Sequence, residues 1–277
     1  MADMKKAFVC GHPISHSRSP KIHGYWLNLF GIEGSYEAVD KSPTEFAAFL
    51  ASLESSGFAG GNLTIPYKQA VIPLLDEVDA AAKAIGAVNT IWFEKGRLLG
   101  SNTDAYGFAA NLDTRVPGWD AGKVAVVLGA GGAARAILYA LRCRGFDTIF
   151  VLNRSLERAQ ELANLFGCRA LQMSQFEEIA DQADLLVNTT SLGMRGQPDL
   201  NLDITRLPER CIVSDIVYVP LKTSLLAAAE ERGLKTVDGL GMLLHQAIPG
   251  FERWFGPRPA VTPELYKLII SDIVSGT

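Results

Sequence analysis

The fold of this chain is decided by Val124-Ala-Val-Val-Leu-Gly-Ala-Gly-Gly-Ala-Ala-Arg135. The apolar run 124–128 predicts a buried β-strand, and residues 133–144 predict the helix that follows it. Between them, Gly129-x-Gly131-x-x-Ala134 has the spacing of a dinucleotide-binding turn, in which glycines let a pyrophosphate approach the backbone at a helix N-terminus. The next apolar run, 148–152, completes a strand–helix–strand unit, which strengthens the motif. The candidate cofactor-binding residues here are Gly129, Ala130, Gly131, Gly132 and Ala133.

The end of the second predicted strand carries basic residues where an NAD site would carry an acidic one. Asn153, Arg154 and Ser155 follow that strand, and Arg158 comes one helical turn later. An Asp or Glu at this place would accept a hydrogen bond from the ribose 2′-hydroxyl of NAD. The two arginines instead suit a 2′-phosphate, to which Asn153 and Ser155 can also hydrogen-bond. The pattern therefore favours NADP.

The rest of the chain alternates short apolar runs with longer helical ones, which is typical of an α/β fold. Further strands are predicted at 7–10, 60–65, 185–187 and 212–216. Further helices are predicted from Ser19, from Ala105, and over 44–53, 76–85, 156–166, 242–254 and 263–274. In the first helix, Ser19 is expected to be the N-cap and Pro20 the first helical residue.

The turn-rich segment 116–122 precedes the first strand of the dinucleotide unit, so a domain boundary is expected at or before it. We expect residues 1–104 to form an α/β substrate-binding and catalytic domain. Residues 105–240 are expected to form a Rossmann-type NADP domain with a doubly wound parallel sheet. Residues 241–277 are expected to form helices that return to the first domain.

Composition excludes several classes of protein. The net charge of −4 and the pI near 5.6 give no basic footprint for nucleic acid. The N-terminus lacks the apolar stretch of a signal peptide, and the longest apolar stretch contains glycines and Arg135, which excludes a membrane span. The 4 cysteines are scattered, as expected for buried free thiols in the reducing cytoplasm. The 4 histidines have no metal-ligand spacing, and no metal site is expected.

Three polar segments lie upstream of the dinucleotide unit: Asn62-Leu-Thr-Ile-Pro-Tyr-Lys68, Gly86-Ala-Val-Asn-Thr90 and Asn102-Thr-Asp104. A lysine and an aspartate brought together in a cleft can move a proton. Asn and Thr side chains around them can hold a polyhydroxylated substrate. Together with a dinucleotide site, these segments indicate an enzyme that interconverts an alcohol and a ketone.

These segments together resemble the shikimate dehydrogenase family over nearly the whole chain. The matching segments are 11–20 (Gly-His-Pro-Ile-Ser-His-Ser-Arg-Ser-Pro), 62–68, 86–89, 102–104, 129–135, 153–155, 188–194, 215–220 and 239–246. One departure is Gly24, where the family has an asparagine after His23; we expect a local packing adjustment there. The resemblance implies NADPH-dependent, reversible reduction of 3-dehydroshikimate to shikimate in aromatic amino-acid biosynthesis.

The resemblance also implies roles for particular residues. Lys68 would transfer the proton, and Asp104 would orient it and accept a substrate hydroxyl. Ser17 and Ser19 would bind the substrate carboxylate, which suits two hydroxyls at a helix N-terminus. The remaining implied residues are Thr64, Asn89, Tyr218 and Gln246 for the substrate, and Thr189 and Gly239 for the cofactor.

Two alternatives remain open at this point. One is a quinate or quinate/shikimate dehydrogenase that uses NAD or both cofactors, against which Arg154 and Arg158 argue. The other is a non-catalytic NADP-binding regulator on the same fold, against which Lys68 and Asp104 argue. Both a monomer and a homodimer are compatible with the sequence.

Overall fold

The computed structural model describes residues 5–275. The chain divides into two compact units. Unit 1 comprises Met1–Thr103 and Leu244–Thr277, and unit 2 comprises Asp104–Leu243. Unit 1 is therefore built from two separate parts of the chain, whereas unit 2 is continuous.

Unit 1 is organised around a 6-stranded mixed sheet. Its strands are β1 (Lys5–Gly11), β2 (Gly34–Asp40), β3 (Phe58–Leu63), β4 (Glu77–Val78), β5 (Thr90–Glu94) and β6 (Arg97–Ser101), in the order β2-β1-β3-β5-β6-β4. β1 runs parallel to β2 and β3, whereas β5 is antiparallel to β3 and β6. Because the first three strands are parallel, the segments that follow them meet at one edge of the sheet.

Helices cover this sheet on both faces. The helices of the first part of the chain are α1 (Ser19–Phe30), α2 (Pro43–Ala51), α3 (Tyr67–Ala70) and α4 (Ala80–Ile85). Phe8 and Cys10 point into a core with Phe46 and Leu63. The alternate residues of β1 point to the opposite face, because side chains alternate along a strand.

That opposite face holds the aromatic cluster, which we define as His23, Trp26, Tyr36, Phe251 and Trp254. Its last two members come from the C-terminal part of the chain. That part contains helix α10 (Pro263–Ser275) and helix α9 (Leu240–Phe255), which belongs to unit 1 from Leu244 onward. Trp254 Nε1 donates to the Ile91 carbonyl at 2.9 Å, and Trp26 Nε1 donates to the Ala260 carbonyl at 3.1 Å. The predicted return of the C-terminal helices to the first domain is confirmed.

Unit 2 contains a 6-stranded sheet in which all strands are parallel. Its strands are β7 (Val124–Leu128), β8 (Thr148–Asn153), β9 (Arg169–Gln172), β10 (Leu185–Asn188), β11 (Ile212–Asp215) and β12 (Lys235–Val237), in the order β12-β11-β10-β7-β8-β9. Its helices are α5 (Asp104–Arg115), α6 (Gly132–Cys143), α7 (Leu156–Phe166) and α8 (Ser224–Glu231). The strand order reverses between β7 and β10, and ligands of such sheets bind at the carboxyl ends of the strands beside that point. The α/β class with a doubly wound Rossmann-type unit is confirmed.

Two local predictions are wrong. Residues 76–85 do not form one helix: Glu77–Val78 is a strand paired with β6, and α4 begins at Ala80. Asp79 ends the strand and caps α4, because its carboxylate accepts a hydrogen bond from the Ala82 amide at 2.8 Å. The N-cap of α1 is Arg18, whose side chain makes no capping hydrogen bond, and not Ser19, which is already the first helical residue.

Within the described residues, no helix is long and apolar enough to span a membrane. Over the same part of the chain, no group of three or more His, Cys, Asp and Glu side chains could hold a metal ion.

Candidate functional site

Two serines lie where the chain leaves β1 and enters α1. Ser17 Oγ accepts a hydrogen bond from the Ser19 amide at 3.3 Å, and Ser17 is half-buried whereas Ser19 is buried. Arg18, between them, lies 3.1 Å from Asp272 of α10, which ties this turn to the C-terminal helix. We call Ser17 and Ser19 the serine pair. It presents two hydroxyls at the N-terminus of a 12-residue helix, which is an arrangement suited to an anion.

A second group of polar side chains is buried at the junction of β3, β5 and α9. Asn89 Oδ1 accepts from the Thr103 amide at 2.8 Å and from Thr90 Oγ1 at 2.9 Å. Gln246 Oε1 lies 3.5 Å from Asn89 Nδ2 and 3.4 Å from Thr103 Oγ1. We call Asn89, Thr103 and Gln246 the amide cluster. The structure thus brings together the two predicted residues Asn89 and Gln246, which are 157 positions apart in the sequence.

Sequence reasoning missed the residues that support this cluster. Asn62 Nδ2 donates to the Asn89 carbonyl and to Thr90 Oγ1, both at 3.0 Å. Asn62 Oδ1 in turn accepts from the Tyr36 hydroxyl at 2.6 Å. Asn62 and Thr103 lie in the polar segments 62–68 and 102–104. The signal that could have identified Asn62 is that it is an asparagine inside a predicted strand. Tyr36 gave no comparable signal, because a tyrosine in a strand is usually a packing residue.

Lys68 and Thr64 lie on the segment that follows β3. Lys68 is a half-buried residue of the short helix α3, and its carbonyl accepts from the Val88 amide at 2.7 Å. Thr64 is half-buried, and its amide donates to the Cys10 carbonyl at 2.9 Å, which holds it at the carboxyl edge of the sheet. Asp104 is half-buried, and it is the first residue both of α5 and of unit 2.

In unit 2, the predicted dinucleotide turn joins β7 to α6. Gly129 has φ +103°, and a Cβ there would lie 2.7 Å from Thr189 Oγ1. Glycine is therefore required at Gly129 both by its conformation and by the close approach of Thr189. Thr189 Oγ1 donates to the Leu128 carbonyl at 2.7 Å, which holds the segment after β10 against this turn. Ala134, at the last position of the motif, is fully buried.

The next two glycines have a different explanation. A Cβ on Gly131 or Gly132 would meet no protein atom within 4 Å, and both residues are exposed. Packing within the chain therefore does not require glycine at either position. They lie at the N-cap and first residue of the 12-residue helix α6, where free amides and the helix dipole favour an anion. Ala130 and Ala133, on either side, are half-buried.

At the end of β8, Arg154 and Arg158 are both exposed. Ser155 is the N-cap of α7: its Oγ accepts from the Arg158 amide at 3.5 Å and donates to Glu157 at 2.7 Å. Asn153 Nδ2 donates to the Ser155 carbonyl at 3.0 Å. Both polar side chains therefore shape the turn that carries the two arginines.

The remaining predicted residues of unit 2 lie after β11. Tyr218 is half-buried. Gly239 is buried, and a Cβ there would lie 2.1 Å from the Ile216 carbonyl oxygen, so close backbone packing explains this glycine. Sequence reasoning missed Asp215, whose carboxylate is fully buried and accepts from Asn188 Nδ2 at 3.0 Å and from Thr223 Oγ1 at 2.7 Å. Burial raises the pKa of Asp215, and these hydrogen bonds act in the opposite direction.

The aromatic cluster beside the amide cluster holds a titratable group. The His23 ring is stacked on Tyr36, with ring centroids 3.9 Å apart, and is fully buried. Burial lowers the pKa of His23 to about 3, so its imidazole is neutral at physiological pH. A Cβ on the neighbouring Gly24 would meet no atom within 4 Å.

Comparisons with known proteins cover both units. Residues 9–91 match the model of the shikimate dehydrogenase substrate binding domain, and residues 114–194 match that of shikimate / quinate 5-dehydrogenase. The solved structure of shikimate 5-dehydrogenase from Thermus thermophilus, in complex with NADP(H) and shikimate, is 40% identical with a TM-score of 0.87, over 98% of this chain and 100% of that one. Quinate dehydrogenase from Corynebacterium glutamicum, in complex with NAD, is 32% identical with a TM-score of 0.89, over 97% of this chain and 99% of that one.

Sequence similarity is higher to a shikimate dehydrogenase (NADP(+)) from Mesorhizobium japonicum, which is 60% identical over 272 residues, or 98% of this chain and 97% of that protein. The alignment therefore runs over nearly the full length of both proteins. Because the likeness covers both units and both domain models match, the chain belongs to the shikimate dehydrogenase family.

Proposed function

We propose that this protein catalyses the reversible, NADP-dependent interconversion of shikimate and 3-dehydroshikimate, a step of aromatic amino-acid biosynthesis. Unit 1 binds the substrate and unit 2 binds the cofactor, with the boundaries expected near residues 104 and 240. The observation that carries the proposal is the glycine turn at the start of α6. There, Gly131 and Gly132 leave room that no side chain of the protein fills.

The residues of unit 2 fit NADP. Gly129 to Ala133 would hold the pyrophosphate at the N-terminus of α6, because the backbone amides are accessible and Gly131 and Gly132 carry no side chain. Arg154 and Arg158 would pair with the 2′-phosphate, aided by Asn153 and Ser155. Their exposure at the end of β8, without an acidic residue at Asn153 to Ser155, favours NADP over NAD. Thr189, Tyr218 and Gly239 would line the same carboxyl edge of the sheet.

The residues of unit 1 fit a hydroxylated carboxylic acid. The serine pair would bind the carboxylate, since two hydroxyls and a helix N-terminus all favour an anion. Asn89 and Gln246 would bind ring hydroxyls, together with Thr64. The hydrogen bonds within the amide cluster support this role, because they hold the two amides in fixed orientations before substrate arrives.

When bound, the cofactor would accept the hydride as NADP and supply it as NADPH. In the direction of oxidation, Lys68 would take the proton from the substrate hydroxyl while the hydride leaves the carbon that bears this hydroxyl, so that a ketone forms. In the direction of reduction, Lys68 would return that proton to the carbonyl oxygen. Asp104 would orient Lys68 and accept a hydrogen bond from a substrate hydroxyl.

The test is an absorbance assay of reduced nicotinamide with purified protein, using shikimate or quinate with NADP or NAD. We expect the highest kcat/KM with shikimate and NADP. Faster turnover with quinate, or with NAD, would replace this proposal by the quinate/shikimate alternative. NADP binding without turnover of either acid would replace it by the non-catalytic alternative.

We further infer that the protein acts in the cytoplasm on small molecules and not on nucleic acid. The acidic pI near 5.6 and the free thiols support this inference. The thiols of Cys10 and Cys211 are buried, whereas the expectation of burial is wrong for Cys143, which is exposed, and for Cys168, which is half-buried. A monomer and a homodimer both remain compatible with the proposal, and size-exclusion chromatography with light scattering would distinguish them.

A further inference from the structure

We propose that Tyr36 is a positioning residue for substrate binding, whose hydroxyl orients Asn62 and, through it, Asn89 of the amide cluster; this inference rests on the proposed function. Tyr36 lies outside the motifs that resemble the family. Its side chain is nevertheless buried, with its ring stacked on His23 of α1 and its hydroxyl bonded to Asn62 of β3.

The register of the sheet explains how the Tyr36 side chain reaches Asn62. Tyr36 of β2 pairs with Ala7 of β1, and Asn62 of β3 pairs with Val9 of β1. Ala7 and Val9 are two residues apart, so Tyr36 and Asn62 project from the same face of the sheet on either side of β1. Strands that flank a common neighbour lie roughly 10 Å apart, and only a long side chain spans that gap. The tyrosine ring does so, and its hydroxyl reaches Asn62 Oδ1 at 2.6 Å.

The hydroxyl begins a chain of hydrogen bonds that leads to the amide cluster. Tyr36 fixes the amide plane of Asn62, because its hydroxyl donates to Oδ1 and so leaves Nδ2 facing the Asn89 carbonyl. The same Nδ2 donates to Thr90 Oγ1, which donates to Asn89 Oδ1. The orientation of the Asn89 amide is therefore connected, bond by bond, to the Tyr36 hydroxyl.

The ring of Tyr36 has a separate, structural role that an experiment can hold constant. It stacks on His23 at 3.9 Å and lies 5.8 Å from the Trp254 ring. Phenylalanine keeps both contacts and removes only the hydroxyl. Tyr36→Phe therefore tests the hydrogen bond from the Tyr36 hydroxyl while the contacts of the ring are kept.

The experiment compares steady-state kinetics and thermal melts of Tyr36→Phe with those of Tyr25→Phe. Tyr25 is the matched control, because it lies in α1 of the same unit and its hydroxyl hydrogen-bonds to Thr262 at 3.0 Å. Leaving a buried polar group unpaired corresponds to roughly a 5- to 100-fold effect. We expect the KM for shikimate to rise within that range in Tyr36→Phe, with the KM for NADP unchanged. Tyr25→Phe should keep wild-type kinetics.

A double-mutant cycle separates positioning from general loosening of the fold. If Tyr36 acts through Asn62, the effects of Tyr36→Phe and Asn62→Ala on the shikimate KM will be less than multiplicative. Fully multiplicative effects, or an unchanged shikimate KM in Tyr36→Phe, would overturn the proposal. Should Tyr36→Phe fail to fold, Asn62→Ala tests the same path, because Tyr36 acts on the amide cluster through Asn62; a wild-type shikimate KM in Asn62→Ala would overturn the proposal equally.

The failure of this inference differs from failure of the proposed function. If the wild-type protein does not oxidise shikimate, the proposed function and the role of Tyr36 are both wrong. If the wild-type protein oxidises shikimate and Tyr36→Phe keeps the wild-type KM for shikimate, only the positioning role of Tyr36 is wrong.

Discussion

Replacing Gly131 by alanine tests the cofactor site, because the added methyl group enters space that the protein does not fill. Gly131 has φ −94° and ψ −172°, an extended conformation that alanine adopts without strain, and its Cβ would meet no protein atom within 4 Å. Alanine is a poorer N-cap than glycine by roughly 0.5–1 kcal/mol. Restricting the unfolded chain offsets this by about 0.4–1 kcal/mol. We therefore expect little change in the free energy of unfolding.

NADP binding should respond very differently. The methyl group would hold the pyrophosphate away from the backbone amides at the start of α6. Loss of one hydrogen bond to a charged group costs about 1.5–3 kcal/mol, which corresponds to roughly a 10- to 150-fold rise in the Kd for NADP. Fluorescence titration with NADPH measures that Kd, and a thermal melt measures stability. The KM for shikimate at saturating NADP should stay at its wild-type value.

Gly129→Ala is the control for this substitution. Gly129 has φ +103°, and its Cβ would lie 2.7 Å from Thr189 Oγ1. Forcing an alanine into such a conformation costs about 1–3 kcal/mol, so Tm should fall in Gly129→Ala and hold in Gly131→Ala. A wild-type Kd for NADP in Gly131→Ala would refute the reasoning, since the pyrophosphate could then not lie against this turn. Equal loss of Tm in both variants would refute the assignment of open space at Gly131.

The other predictions use the same assays. Arg154→Ala should weaken NADP binding by about 10- to 100-fold and leave NAD binding nearly unchanged; equal losses for the two cofactors would contradict the assignment of Arg154 to the 2′-phosphate. Ser17→Ala should raise the KM for shikimate and spare that for NADP, and a wild-type KM would mean that the carboxylate binds elsewhere. Lys68→Ala should lower kcat by roughly 10²- to 10⁴-fold with an unchanged melt, whereas Asp104→Ala should affect both KM and kcat; near-normal turnover in Lys68→Ala would exclude its role in proton transfer. The pKa of His23 is about 3 in the folded protein against a usual 6.5, so between these values protons bind only the unfolded chain and stability falls as the pH is lowered. In urea unfolding, the free energy of unfolding should fall between pH 7 and pH 5, and this fall should be about 2 kcal/mol smaller in His23→Phe than in the wild type. An unchanged pH dependence would show that His23 is not the group responsible.

The sequence predicted unit 2 more accurately than unit 1, for a physical reason. Strands of a parallel sheet are buried on both faces, so Val124–Leu128 is a continuous apolar run whose bounds the structure reproduces. In unit 1, β5 and β6 are antiparallel strands, and neither was predicted. Their hairpin turn did carry a signal in Gly96: Lys95 and Gly96 have φ +52° and +74°, and glycine suits a two-residue turn that requires positive φ.

The substrate-binding residues could be predicted because they lie in motifs shared with the family. The residues that hold them in place lie outside those motifs or have no role in them, and could not be predicted from the resemblance. Asn89 and Gln246 could be named from their motifs. Tyr36, however, meets its polar partner Asn62 because of the register of β1 with β2 and β3, which places the two residues on opposite sides of β1. A pattern along one segment does not contain that register. Asp215 was overlooked for a similar reason, because its partners Asn188 and Thr223 come from two other segments.

The division of unit 1 between both ends of the chain affects the order in which the protein can fold as it leaves the ribosome. Residues 104–243 are synthesised as one block and can complete unit 2 while translation continues. The first 103 residues emerge earlier, yet they wait for Leu244–Thr277, which supplies Phe251 and Trp254 to the aromatic cluster and Gln246 to the amide cluster. A nascent chain stalled before residue 244 therefore exposes the aromatic face of Trp26 and Tyr36. Such a chain would be a substrate for chaperones, although its nucleotide-binding half would already be formed.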